Sequence, residues 1–126
     1  MTRLFETATP GAAEPVLDPR VIRELRCYGE TFLRELVEEF TSATELLLAE
    51  LREAFFLNDA LAVARIAHSI RGSGGQLGGL RLANACYRLE RRATYGSLPE
   101  GEPELEDVER EYDALRLSLT LTLPVA

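Results

Sequence analysis

The chain of 126 residues contains a single histidine, His68, and its imidazole is the side chain best suited to nucleophilic chemistry at neutral pH. An imidazole with a pKa near ~6.5 is largely neutral at pH 7, and its unprotonated ring nitrogen is then a competent nucleophile. In a helix, residues three, four and seven positions apart share one face. The residues predicted to share the face of His68 are Leu61, Ala64, Arg65, Arg71, Gly72 and Gly75.

Most of these neighbours are small or cationic. Ala64, Gly72 and Gly75 should leave the imidazole protruding, and glycine also lets the backbone of a partner come close. Arg71 lies one helical turn after the histidine and Arg65 one turn before it. A guanidinium can pair with the oxygens of a phosphoryl group by forked hydrogen bonds, so both arginines are candidates for stabilising phosphate or contacting a partner.

A nucleophilic imidazole also needs a group that holds its other ring nitrogen and fixes the tautomer. Two residues are candidates for this role: Glu90 and Gln76. The sequence alone does not place either of them beside the ring, so both remain open.

Other kinds of site are not supported by the sequence. Two distant cysteines and one histidine match no metal-binding spacing, so no metal site is predicted. The glycine-rich run 72–79 lacks the Gly-Lys-Ser/Thr ending of a phosphate-binding loop. The net charge of −7 argues against nucleic-acid binding. No apolar run approaches the roughly 18 residues of a membrane span.

The beginning of the chain carries no apolar core followed by a cleavage site, as a signal peptide would. We therefore expect a cytoplasmic protein with reduced thiols at Cys27 and Cys86. The initial methionine favours a free protein rather than a piece of a larger one.

Hydrophobic periodicity predicts helices and no strands. Helices are expected at about 18–28, 30–57, 59–76, 80–95 and 103–121, because apolar residues recur there at three- and four-residue steps. Asp18-Pro19 is a typical helix start. The predicted fold is all-α: an antiparallel up-down-up-down four-helix bundle with a short extra N-terminal helix. Residues 1–17 are an irregular lead-in, 18–122 the bundle and 123–126 a tail.

Charge is distributed unevenly along the chain. Residues 65–95 contain six arginines and one acidic residue, a net charge of +5, whereas residues 96–113 carry a net charge of −7. A locally basic region in an acidic protein suggests an anionic ligand or partner surface there.

Two consecutive segments together resemble the signature of the histidine-containing phosphotransfer (HPt) domain, which reads approximately Ala-His-x-Leu-Lys-Gly-Ser, then Leu-Gly, then Leu, Cys and Leu-Glu. The matching residues are Ala67-His68-Ser69-Ile70-Arg71-Gly72-Ser73, Leu77-Gly78, Leu82, Cys86 and Leu89-Glu90. The resemblance covers roughly residues 17–120, and its specific part is 59–90.

The resemblance implies a role for each matching residue. His68 would be the phosphoacceptor, Arg71 would take the position of the family's lysine, and Gly72 would leave room for the partner. Gly78 would let the third and fourth helices pack closely at their turn, and Glu90 would lie where the family often has a polar group able to reach the imidazole. An apolar docking patch would surround the histidine, with candidates Leu61, Ala64 and Ile22.

The implied function is that of a phosphocarrier without independent enzymatic turnover. It would accept a phosphoryl group on His68 from a receiver aspartate or a kinase and pass it to a receiver aspartate. The implied partners are a response-regulator receiver domain and a sensor histidine kinase, hybrid or not. No cofactor is expected on this chain, since magnesium would be bound by the receiver.

Two alternatives belong to other classes of protein. One is a helical adaptor that binds a receiver or kinase without carrying phosphate, and the other is a dimerising structural bundle. Neither gives a chemical role to Arg71 or to the small residues that flank His68.

Overall fold

A computed structural model describes residues 14–123, and the only regular secondary structure in that range is helical. Its five α-helices and one short 3₁₀ helix are α1 (Pro19–Arg26), α2 (Glu30–Phe56), α3 (Ala60–Gln76), α4 (Leu80–Thr94), the 3₁₀ helix Leu98–Glu100, and α5 (Glu102–Thr122). The predicted fold class is confirmed, and the helix ends differ from the predicted ones by no more than two residues.

The four long helices, α2 to α5, form the bundle. Each packs against its neighbour in sequence, and α2 also contacts α5, which closes the ring. Connections of three residues, 57–59 and 77–79, reverse the chain before and after α3. The apolar stripe of each helix faces a common core, whose largest fully buried side chains include Leu33, Leu51, Ile70, Leu82, Leu89, Leu105, Leu115 and Leu119.

The lead-in is partly integrated into this bundle. Its residues 1–13 lie outside the described part of the chain, but Val16 and Leu17 pack against the core. The Asp18 N–H donates to the Gly78 carbonyl at 2.9 Å, and the Asp18 side chain caps α1 by accepting from the Arg20 N–H at 3.0 Å. In the tail, Leu123 packs against the core, and residues 124–126 lie outside the described part.

Three glycines at the end of α3 and in the turn that follows it have structural roles: Gly74, Gly78 and Gly79. The Gly79 N–H donates to the Gly74 carbonyl at 2.8 Å and the Gly78 N–H to the Gly75 carbonyl at 3.0 Å, which is a Schellman motif. Gly78 occupies the left-handed position of this motif with φ +86°. A Cβ on Gly74 would lie 3.1 Å from Leu82 Cδ2, so Gly74 brings α4 close to α3.

The role expected for Gly78 is therefore wrong in detail. Gly78 ends α3 and receives the lead-in on its carbonyl, whereas the close approach of neighbouring helices depends on Gly74 and Gly79. A Cβ on Gly79 would come within 2.5 Å of Leu115 Cδ2, a fully buried side chain of α5.

Replacing Gly79 and Gly72 by alanine should change stability in opposite directions. Gly79→Ala should destabilise the fold by about 1–3 kcal/mol, because the added Cβ would force the fully buried Leu115 side chain to shift within a packed core. Gly72→Ala should stabilise it by up to about 1 kcal/mol, since no atom lies within 4 Å of the added Cβ and alanine favours helix. Urea unfolding followed by circular dichroism measures both, and equal effects of the two substitutions would contradict the packing described.

Candidate functional site

His68 lies near the middle of α3 on its outer face. Its neighbours Ile66, Ala67 and Ile70 are buried in the core, which directs His68 away from the bundle interior. The imidazole side chain is 62% exposed. An incoming group can therefore reach the ring from solvent.

The Nδ1 atom of His68 has two polar neighbours at the same distance. Glu90 Oε2, on α4, lies 3.2 Å from it, and Arg71 Nη2, one turn further along α3, also lies 3.2 Å away. A neutral ring nitrogen is either a donor or an acceptor, so only one of these contacts is a hydrogen bond at a time.

The carboxylate of Glu90 determines which of the two contacts is the hydrogen bond. An ionised Glu90 only accepts, so a lone pair on Nδ1 would face a lone pair of the carboxylate. With a proton on Nδ1, the ring donates to Glu90, and the lone pair of the neutral imidazole lies on Nε2. No residue in the described range 14–123 hydrogen-bonds to Nε2. This arrangement leaves Nε2 as the ring nitrogen with an unengaged lone pair.

Arg71 is held beside the ring by contacts with α4. Its Nη1 atom lies 3.8 Å from Glu90 Oε1, and its guanidinium carbon lies 5.3 Å from the centre of the Tyr87 ring. Both partners belong to α4, so the position of Arg71 depends on how α3 and α4 pack together. The guanidinium contacts the imidazole on its Nδ1 side, so a positive charge lies next to the ring.

Cys86 lies beneath this site and takes no part in it. The thiol is buried in the core, and burial raises its pKa to about 12. The nearby charges of Arg71 and Glu90 act on the thiol in opposite directions, Arg71 lowering its pKa and Glu90 raising it. Cys86 is therefore protonated at neutral pH and is not a competing nucleophile.

The small residues predicted beside His68 lie where the helical face requires. Gly72 is exposed and Gly75 half-buried, and neither has an atom within 4 Å of a Cβ built on it. Ala64 is half-buried against the core. Arg65 is exposed, and Leu61 is 82% exposed.

Two predicted residues do not lie at the site in the way expected. Ile22 is only 4% exposed and belongs to the core, because the amphipathic helix α1 turns it inward, so it cannot present its side chain to a partner. Gln76 lies two turns after His68 and lines a groove between α2 and α3 with Leu36 and Phe40. Glu90, not Gln76, contacts the imidazole.

Tyr87 was not predicted as a site residue. It lies on the exposed face of α4, and the guanidinium carbons of Arg71 and Arg91 lie 5.3 Å and 5.7 Å from the centre of its ring. The signal available in the sequence was the four-residue spacing of Tyr87 and Arg91, which places both on one face of a helix. Its contact with Arg71 depends on the rotation of α4 against α3, which no local pattern specifies.

The described range 14–123 contains neither a candidate membrane span nor a candidate metal centre. No helix there is long and apolar enough to cross a membrane. No group of three or more histidine, cysteine, aspartate or glutamate side chains there is arranged to hold a metal ion.

The tautomer of His68 is directly measurable. Long-range ¹H–¹⁵N spectra at a pH where the ring is neutral should show a protonated Nδ1 and an unprotonated Nε2, because Glu90 accepts the Nδ1 proton. Glu90→Ala should shift the population towards the Nε2-protonated form. A wild-type ring protonated on Nε2 would mean that Arg71 donates to Nδ1 instead, and would contradict the assignment.

Comparison with known proteins agrees with this geometry. Residues 35–118, about two thirds of the chain, match the family model of the Hpt domain. No curated protein matches the chain. A solved structure, that of histidine-containing phosphotransfer protein B (HptB) from Pseudomonas aeruginosa, is similar, with a TM-score of 0.79 and 31% sequence identity. The match covers 86% of this chain and 95% of that one. This chain belongs to the family of histidine-containing phosphotransfer domains.

Proposed function

We propose that this protein is a phosphocarrier of a two-component phosphorelay and that His68 is its phosphoacceptor. The observation that carries the proposal is the environment of this single histidine. One ring nitrogen is engaged by Glu90 at 3.2 Å, and the other has no partner in the described residues on a side chain that is 62% exposed. Membership in the phosphotransfer family supports the same role.

The proposed step is an in-line displacement at phosphorus. The Nε2 lone pair attacks the phosphorus atom of an aspartyl phosphate on a receiver domain, the N–P bond forms, and the P–O bond to the aspartate breaks. The carboxylate leaves with the bonding electrons. The reverse reaction delivers the phosphoryl group to a second receiver. Magnesium and most of the stabilisation of the reacting phosphoryl group belong to the receiver in this proposal.

Glu90 and Arg71 stabilise opposite charges in this step. As Nε2 becomes bonded to phosphorus, positive charge grows on the ring, and the carboxylate of Glu90 beside Nδ1 stabilises it. The phosphoryl group carries nearly two negative charges, and the guanidinium of Arg71 lies beside the ring to pair with its oxygens. The exposed residues Arg65 and Leu61 lie on the same face of α3 and extend the surface that a partner meets.

The proposed partners are a response-regulator receiver domain and a sensor histidine kinase, hybrid or not. Gly72 supports a close approach by such a partner. Glycine costs about 1 kcal/mol in a helix relative to alanine, yet neither a positive φ nor a packed neighbour among residues 14–123 requires it at position 72. A surface that must stay flat for another protein accounts for that cost.

Phosphotransfer to wild type and to His68→Gln tests the central proposal. Receiver domains of the source organism, charged with acetyl phosphate, should pass phosphate to the wild type but not to the variant, because glutamine has no nucleophilic ring nitrogen. The phosphate on the wild type should be acid-labile and base-stable. Circular dichroism provides the control for folding. Equal labelling of the folded variant would refute the proposal, and receiver binding without any transfer would favour the adaptor.

Arg71→Ala should slow phosphotransfer or shorten the lifetime of the phosphohistidine by about 10-fold. This corresponds to loss of one partly exposed charge-assisted hydrogen bond of about 1.5 kcal/mol. Arg71→Lys is the matched control, since it keeps the charge without the planar guanidinium. Its transfer rate and phosphohistidine lifetime should lie between those of the wild type and Arg71→Ala. If the folded Arg71→Ala variant transfers phosphate and retains phosphohistidine as the wild type does, Arg71 has no role at the site.

Gly72→Gln should weaken receiver binding by on the order of 10-fold while leaving stability nearly unchanged. No other part of the described chain lies within 4 Å of a Cβ at this position, and the longer glutamine side chain would occupy space needed by the partner. Gly72→Ala should have a smaller effect. Titration calorimetry with a receiver that exchanges phosphate with the wild type measures both variants. Unchanged affinity for Gly72→Gln would mean that the partner does not approach α3 at this position.

A further inference from the structure

Four side chains form a continuous stack that begins at His68 and runs along the outer face of α4. We call it the arginine–tyrosine stack: Arg71, Tyr87, Arg91 and Tyr95. The guanidinium of Arg71 lies 5.3 Å from the centre of the Tyr87 ring, and that of Arg91 lies 5.7 Å from Tyr87 and 4.9 Å from Tyr95. Arg91 Nη1 also donates to the Tyr87 hydroxyl at 3.2 Å. These contacts hold Arg91 in place before anything binds.

Arg91 contacts tyrosines but forms no ion pair with a carboxylate among the described residues 14–123. Three of the six arginines between residues 65 and 95 form ion pairs with glutamates of this chain: Arg71, Arg81 and Arg92. The other three are exposed and have no carboxylate partner within the described residues 14–123: Arg65, Arg88 and Arg91. Arg88, Arg91 and Tyr95 line one shallow depression together with Ser97 and the Arg92–Glu104 ion pair, whose carboxylate is already matched by Arg92. Exposed tyrosines beside arginines are the residue types that most often contribute strongly to protein–protein binding.

The surroundings of the stack favour an acidic protein segment as the occupant. Fixed guanidinium groups match carboxylates by forked hydrogen bonds. The next part of the chain, residues 96–113, carries a net charge of −7, and α5 packs directly against α4. A long polyanion or an anionic bilayer would extend over these carboxylates and be repelled, whereas a short acidic segment can lie on the stack alone.

We propose that the arginine–tyrosine stack, with Arg88 beside it, is a second docking surface and binds a carboxylate-rich segment of the receiver that exchanges phosphate with His68. Arg71 belongs both to the stack and to the histidine site, so the two surfaces are continuous. The identity of the occupant rests on the proposed function. The consequence is that the choice of receiver depends on α4 as well as on the face of α3.

Charge reversal of Arg91 tests the inference. The probe is the receiver domain of the source organism that exchanges phosphate with the wild type fastest. Arg91→Glu should raise the dissociation constant by about 10-fold at low salt, mainly through slower association, and the difference should shrink at high salt. Arg91→Gln should have a smaller effect in the same direction. Arg23→Glu makes the same charge change at an exposed position of α1 and should stay within about twofold of wild type.

A second measurement separates this inference from the proposed function. Phosphoramidate should phosphorylate wild-type His68 in ³¹P spectra, since Nε2 displaces ammonia from phosphorus without any protein partner. If Arg91→Glu binds the receiver as tightly as the wild type does, or if Arg23→Glu loses as much affinity as Arg91→Glu, the docking surface is overturned. The phosphocarrier proposal stands in either case. Failure of wild-type His68 to accept phosphate from any donor would instead overturn the phosphocarrier proposal.

Discussion

The contact between Glu90 and Nδ1 of His68 is the interaction that sets the tautomer of the imidazole, and the proposed chemistry depends on it. A neutral imidazole has one lone pair available for attack, and the acceptor-only carboxylate at 3.2 Å directs that lone pair to Nε2. The two residues lie on different helices, so the contact exists only if α3 and α4 pack at the right distance and in the right register. Gly74 allows this distance, because a Cβ there would press on Leu82 of α4.

The glycines at the end of α3 divide into two groups with different physical reasons. Gly74, Gly78 and Gly79 are required by the fold, through helix packing or a left-handed backbone conformation. Gly72 and Gly75 have open space around them, and nothing within the described chain requires them. The glycine-rich run therefore combines a structural element with a surface that is flat beside the histidine.

Much of this organisation could be predicted from the sequence. Apolar periodicity gave five helices with ends within two residues, and Asp18-Pro19 correctly marked the start of α1. The face of His68 followed from helical spacing alone. The choice between Glu90 and Gln76 did not, because it depends on which neighbouring helix faces the imidazole. Ile22 was misassigned for the same reason: on a short amphipathic helix, only the packing against the bundle decides which apolar residue is buried.

The most direct measurement is the identity of the phosphohistidine isomer. Wild-type protein phosphorylated by a charged receiver should show, in ³¹P and long-range ¹H–¹⁵N spectra, phosphorus bonded to Nε2 of His68. Glu90 holds Nδ1, and Nε2 has no partner among the described residues. Phosphorus on Nδ1, or on any residue other than His68, would contradict the account.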